Sequence, residues 1–172
     1  MLPFSYMIHI ILYHPEIPQN TGNILRTAMA TNSKVHIIGP IPFELSDKAL
    51  KRSGMDYLKD ADYDLYDSYE DFLNDFADKD IYYVTKYGTH LYSEDLFTNV
   101  LDDVYIMFGR ESTGIDKDIL SKHKDKTLRI PMLSTARSLN LSNAVAIVTY
   151  EVLRQQKYPE LATFDMIKKY TI

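Results

Sequence analysis

Apolar residues in this chain fall into two patterns. Some form short dense runs bounded by turn residues, and others recur every three or four positions. The first pattern reads as buried strands, the second as helices packed by one face. Met7 to Tyr13 is a β-rich run halted by Pro15 and Pro18. Ile24, Leu25, Ala28 and Met29 follow at helical spacing, with Asn20 or Thr21 placed to cap the helix start. Val35 to Ile38 is a short strand closed by Gly39 and Pro40, and Ser46 opens a helix ending near Gly54. Ser68-Tyr69-Glu70-Asp71 is a capping-box-like opening to a helix carrying Phe72, Leu73 and Phe76. Ile81 to Thr85, Val104 to Phe108 and Thr127 to Ile130 are further strands. The longest helix runs from Asn140 to Gln156, with Leu141, Ala144, Val145, Val148 and Val152 along one face. From Tyr158 a weaker helical pattern marks a C-terminal tail over 158–172. Strands alternating with helices predict an α/β fold, a mainly parallel sheet flanked by helices.

Length and composition narrow this picture. The 172 residues fit one domain, 1–172, in which residues 1–6 are a dispensable extension if Met7 is the start. Cysteine is absent, so disulfides and thiolate zinc sites are excluded, and nothing argues against a cytoplasm. Every apolar stretch is interrupted before it reaches the length of a transmembrane helix. The net charge of −5 is unevenly spread, because ten acidic residues lie between Asp56 and Asp80 with only Lys59 and Lys79 among them. The remainder of the chain is slightly basic. An acidic lobe beside a basic surface is compatible with RNA, and equally with a solvated acidic helix.

Several familiar chemistries are missing. The six glycines (Gly22, Gly39, Gly54, Gly88, Gly109, Gly114) form neither G-x-G-x-x-G nor a P-loop. The five histidines (His9, His14, His36, His90, His123) lack the helical pairing that metal sites favour, so no metal is expected. No G-x-S-x-G supplies a hydrolase elbow. Three segments are nevertheless too polar and glycine-marked for their positions. Pro18 to Arg26 places amides, Gly22 and an arginine at a helix N-terminus, with Asn23 and Arg26 on one face; an ordinary capped helix would look similar. Ile106 to Ile115 runs from a strand through Gly109, Arg110, Glu111 and Gly114, at the kind of strand end where α/β proteins bind ligands. Ile130 to Ala146 leads into the long helix with Ser138, Asn140, Ser142 and Asn143. Those are more small polar groups than capping needs, and Ser138, Ser142 and Asn143 share helical spacing.

The ordered set N-T-G-N-I-x-R, M-F-G-x-E-x-x-G and I-P-M-x-x-x-x-R-S-L-N-L-S-N-A-V resembles the three motifs of SPOUT RNA methyltransferases. The opening L-Y-H-P-E-I-P-Q-N-T-G-N is similar to the bacterial branch that methylates the wobble ribose of tRNA, on cytidine or modified uridine. The resemblance spans about Met7 to Pro159. It departs at Arg110, where relatives often carry proline, and at Ser134-Thr135-Ala136, which leaves substrate preference more open than reaction type.

This resemblance implies a C-terminal deep trefoil knot, an exception to the rule that chains do not thread. It implies S-adenosylmethionine bound among three loops by Val84, Thr85, Gly88, Gly109, Gly114, Ile130, Leu133 and Ser138. It implies a homodimer with composite sites, and tRNA, most simply its anticodon stem-loop, as partner. Arg26 is then the catalytic residue. A guanidinium with a pKa above ~12 is a poor base, so Arg26 is expected to hold the phosphate and steady the developing alkoxide. Asn23 would orient it, Ser142 and Asn143 would close the pocket, and Glu111 would support it. Arg137 and Arg154 would contact RNA, although a surface ion pair explains Arg154 equally well. Methylation of another tRNA or ribosomal ribose, and a non-catalytic RNA- or nucleotide-binding module, are the competing readings.

Overall fold

The computed structural model describes residues 6–45, 60–98, 100 and 102–164. Its centre is a seven-stranded sheet, ordered β3-β2-β1-β6-β4-β7-β5, in which every pairing is parallel. The strands are β1 (Ile8–Tyr13), β2 (Lys34–Ile38), β3 (Tyr63–Tyr66), β4 (Ile81–Val84), β5 (His90–Leu91), β6 (Val104–Phe108) and β7 (Thr127–Arg129). Helices α1 (Pro18–Thr31), α2 (Tyr69–Phe76), α3 (Lys117–Lys122) and α4 (Leu141–Gln155) accompany them. β1 and β6 are buried along their whole length, as a parallel sheet covered on both faces requires. Ile10, Leu12, Ile106 and Phe108 pack with Ile24, Leu25, Val145, Val148 and Val152 of α1 and α4 on one face. Ile11, Tyr13, Met107 and Tyr83 pack with Phe72 and Ile115 on the other.

The predicted strands fall where expected within a residue or so, and β3 and β5 are additional. The helix expected over Ser46 to Gly54 lies outside the described residues. The expected helical tail is corrected as far as residue 164: the described residues after α4 are turns and irregular chain, with Lys157, Tyr158 and Glu160 at positive φ. The capping of α1 is also corrected. Pro18 occupies the first turn and Ile17 is the N-cap, without a side-chain bond, so Asn20 and Thr21 lie inside the helix and are buried. Proline is preorganised for the first helical turn and lacks the N–H that would otherwise need a partner. Met29, expected on the buried face, is 42% exposed. At α2 the expected cap is present: the Ser68 hydroxyl accepts from the Asp71 N–H at 3.1 Å and donates to its carboxylate at 2.7 Å.

Beneath α2 the sheet carries a chain of polar groups crossing three strands and ending at the residue before β6. His9 Nδ1 lies 2.8 Å from His36 Nε2, His9 Nε2 lies 3.3 Å from Asp103 Oδ2, and His36 Nδ1 lies 3.3 Å from the Tyr66 hydroxyl. One proton order satisfies all three contacts with both rings neutral: Tyr66 donates to His36, His36 to His9, and His9 to Asp103. Burial lowers the pKa of His36 from 6.5 to about 4, reinforced by His9 and Lys34 and opposed by Asp64 and Asp62. Burial lowers His9 as well, against the pull of Asp103. The unfolded chain therefore binds the His36 proton more tightly than the folded one. The associated stability, about 3 kcal/mol, is complete above pH 6.5 and fades as pH falls toward 4. Urea unfolding at stepped pH is expected to show this loss. A His36→Gln variant, which keeps a donor and an acceptor but cannot titrate, should have a flatter profile; parallel profiles would refute the assignment.

Candidate functional site

Moving outward from β1, the strand order runs through β2 and β3 on one side and through β6 and β4 on the other. The crevice beyond the carboxyl ends of strands at such a reversal is where open α/β sheets hold ligands. A cavity of about 1120 Å³ opens there, walled by residues following β1, β4, β6 and β7 and by the start of α4. Of the residues predicted to hold cofactor, Val84, Thr85, Gly109, Gly114, Ile130, Leu133 and Ser138 line it, together with Glu111 and Arg137. Gly88 stands behind the wall. A Cβ there would lie 2.4 Å from the Leu128 carbonyl carbon, so the β4 turn can rest against β7 only without a side chain.

The β6 loop folds back on itself. Arg110 and Gly114 form an antiparallel bridge, the Gly114 N–H donates to the Arg110 carbonyl at 2.9 Å, and Gly114 takes φ +76°. Asp116 anchors the far arm, accepting from the Tyr13 hydroxyl at 2.6 Å and from Arg110 Nη2 at 3.0 Å. The guanidinium also lies 5.2 Å from the centre of the Tyr13 ring. Burial, with the bond to Asp116, pushes Tyr13 up to about 12, so its hydroxyl remains a donor at neutral pH.

Glu111 supplies the cap that α1 lacks. Its carboxylate accepts from the Glu16 N–H at 2.8 Å, the Ile17 N–H at 3.2 Å and Asn20 Nδ2 at 2.9 Å, where the positive end of the helix favours a negative charge. Glu16 answers in reverse, accepting from the Ser112 N–H at 2.9 Å and its hydroxyl at 2.8 Å. Asn20 continues the chain, since its Oδ1 accepts from Asn140 Nδ2 at 2.9 Å. Asn140 in turn caps α4 through its Oδ1, which accepts from the Ser142 N–H, the Ser142 hydroxyl and the Asn143 N–H. All three motif segments thus meet at Asn20, a residue 5% exposed.

Several expectations are redistributed by this geometry. Asn23 and Arg26 share the exposed side of α1, as predicted, but neither lines the cavity of its own chain. Six residues carry Arg26 about 240° around the helix from Asn20, which does line it. Ser142 and Asn143 belong to the α4 cap rather than the cavity wall, and Ser138 precedes the helix, so their shared helical spacing is corrected. Arg154 is held bidentately by Glu151, with both bonds 2.8 Å, which is the surface ion pair. Asn20 was expected only as a cap of α1, and Glu16 was given no role. Asn20 lies four residues before Ile24, on the face that α1 buries, and a polar residue on an apolar face was the available signal.

An Asn20→Asp substitution tests this junction. It keeps the acceptor for Asn140 but sets a carboxylate against that of Glu111, leaving a buried contact repulsive. Expected is a loss of about 2–3 kcal/mol in unfolding free energy at neutral pH, partly recovered in mild acid. Wild-type stability at pH 7 would remove Asn20 from its central role.

Among the described residues, no group of three or more His, Asp and Glu could hold a metal ion, and no helix is long and apolar enough to cross a membrane. Residues 7–150 match the model of the SpoU rRNA Methylase family. The tRNA (cytidine(34)-2′-O)-methyltransferase of Escherichia coli K12 is 40% identical over 154 residues, covering 89% of this chain and 96% of that protein. A candidate for the same activity from Geobacillus stearothermophilus is 44% identical, covering 90% and 99%. A candidate RNA methyltransferase from Bacillus anthracis superposes with a TM-score of 0.85 at 45% identity, covering 90% and 97%. A structure described for 2-OH methylation of C/U34 on tRNA superposes with a TM-score of 0.78 at 38% identity, covering 88% and 97%. With three motifs meeting in one junction, and a family match that runs from β1 into α4, the chain belongs to the SpoU methylase family.

Proposed function

We propose that this protein transfers a methyl group from S-adenosylmethionine to the ribose 2′-hydroxyl of tRNA nucleotide 34, a cytidine or modified uridine. The observation that carries the reading is the cavity formed by the motif loops, in a chain 40% identical to the E. coli enzyme across nearly all of both. The wall suits the cofactor. Val84, Phe108, Ile130 and Met132 offer apolar contact, and Gly109 and Gly114 let backbone approach a planar base. Glu111 is the one carboxylate among the lining residues, and it is committed to the α1 end.

S-adenosylmethionine would bring an electrophilic methyl on a positively charged sulfur, so the protein's task is to align a weakly acidic hydroxyl whose proton passes to the adjoining phosphate or to water. Arg26 holds the adjoining phosphate and stabilises charge developing on the ribose oxygen, and Asn23 steadies it. Since Arg26 is outside its own chain's cavity, it serves the cavity of a second copy. Support for a homodimer comes from the outer side of α1 and α4, which pack together and leave Met29, Ile147 and Tyr150 42%, 37% and 48% exposed. Apolar groups of this size on adjoining helices suit an isologous contact. A deep knot also agrees with the strand order. From β7, beyond β4, residues 130–140 must recross β4 and β6 before α4 reaches α1.

Nucleoside mass spectrometry of tRNA incubated with protein and S-adenosylmethionine tests the proposal. A 2′-O-methylated nucleoside mapping to position 34 is expected. A methyl on another tRNA or ribosomal ribose would move the substrate, and a methylated base would overturn the chemistry. Cofactor binding without transfer to any RNA would leave a non-catalytic module.

A further inference from the structure

Tyr87 belongs to the cavity wall, yet it is 67% exposed. A tyrosine offers large apolar area and ordinarily buries much of it. The local backbone orders the turn that carries this one. The Tyr87 N–H donates to Thr85 Oγ1 at 3.3 Å, the Gly88 N–H to the Thr85 carbonyl at 3.2 Å, and the Arg129 guanidinium to the Lys86 carbonyl. Gly88 lies flat against Leu128, which fixes the path of the turn. Lys86 Nζ lies over the ring, 5.1 Å from its centre. Charge is concentrated here as well. Lys86, Lys117, Arg129 and Arg137 line the cavity against Glu111, in a chain whose net charge is −5.

We propose that Tyr87 is a stacking platform for an unpaired RNA base neighbouring the acceptor nucleotide, with Lys86 and Lys117 receiving the adjoining phosphate. This rests on the RNA-methyltransferase reading and adds a substrate contact to it. When a loop nucleotide is drawn into the cavity it leaves the stack, and the neighbouring base then loses a partner for one face. An aromatic ring fixed at the cavity rim replaces that partner without regard to base identity. The lysines supply compact positive charges for the backbone.

The test uses the full-length protein and an anticodon stem-loop RNA. Tyr87→Ala is expected to raise the RNA KM, and the dissociation constant measured by fluorescence anisotropy, roughly tenfold or more, the range for losing one stacked base. Tyr87→Phe should restore both, since the ring and not the hydroxyl acts. Calorimetric affinity for S-adenosylmethionine without RNA should stay within about twofold in both variants. Lys86→Ala should lower the slope of RNA affinity against salt by about one phosphate contact. The substitutions remove exposed side chains, so folding is not at stake. Unchanged RNA affinity in Tyr87→Ala would overturn the proposal, as would weaker cofactor binding with unchanged RNA affinity, which would make Tyr87 part of the cofactor wall. Wild-type protein that binds the stem-loop without methylating it would sink the enzyme reading alone, because the affinity ratio still reports the platform. Failure to bind RNA at all would end both.

Discussion

Gly109→Ala will fold around the same sheet but lose S-adenosylmethionine, with affinity expected to fall at least about a hundredfold, or roughly 3 kcal/mol. The cause is space. A Cβ on Gly109 would stand 2.2 Å from the Gly114 carbonyl carbon and 2.3 Å from the Ile115 nitrogen, both backbone atoms without a rotamer to yield. Relief requires the two arms of the β6 loop to part by more than an ångström. That breaks the Arg110–Gly114 bridge and displaces cavity-lining residues on both arms. Gly114→Ala is the informative contrast. A Cβ there meets nothing within 4 Å, but the residue sits at φ +76°, which costs an L-residue about 1–2 kcal/mol. The contrast predicts a modestly destabilised protein that still binds cofactor within several-fold of wild type. Calorimetric titration of both variants separates close approach from backbone conformation as the reason for the glycines. Wild-type affinity in Gly109→Ala would mean that the loop does not shape the cofactor site.

How far the sequence anticipates this arrangement follows from where each element lies. β1, β2, β4 and β6 read clearly because strands inside a covered parallel sheet bury residues of both faces and appear as dense, mainly apolar runs. β3 and β5 are the two sheet edges. β3 carries Asp64, has Leu65 56% exposed, and sits within the acidic stretch, so no apolar run marks it. β5 is two residues long. The strand order was not legible at all, since nothing in local periodicity says that β6 returns beside β1. At the site, glycines and surplus polar residues marked the loops that line the cavity, because close backbone approach and helix ends leave residue-type signatures. Roles within those loops were harder to read. Ser142 and Asn143 engage the Asn140 side chain only through the α4 cap, and Glu111 bonds α1 across 91 to 95 residues of sequence. Contacts of that span depend on the strand order and cannot be recovered from spacing.

Arg26→Ala is expected to reduce methyl transfer about a hundredfold or more while leaving unfolding free energy and S-adenosylmethionine affinity nearly unchanged. One charge-assisted contact made mainly in the transition state is typically worth about 3 kcal/mol. The residue is exposed on α1 and stands outside the wall that would hold cofactor, so neither fold nor cofactor should register its loss. Arg26→Lys should recover only part of the rate, since an ammonium cannot present two parallel donors to a phosphate. Mixing variants asks which chain Arg26 serves. Ser138 is exposed at the cavity wall, so Ser138→Tyr can add a ring that fills ligand space while the fold persists. A heterodimer of Arg26→Ala and Ser138→Tyr chains, each inactive alone, contains one open cavity facing one intact arginine if Arg26 acts across the two-fold. Purified through two different tags, it should then show about half the wild-type rate, one working site of two. An inactive heterodimer would return Arg26 to its own chain, and full activity in Arg26→Ala homodimers would make it an ordinary surface arginine.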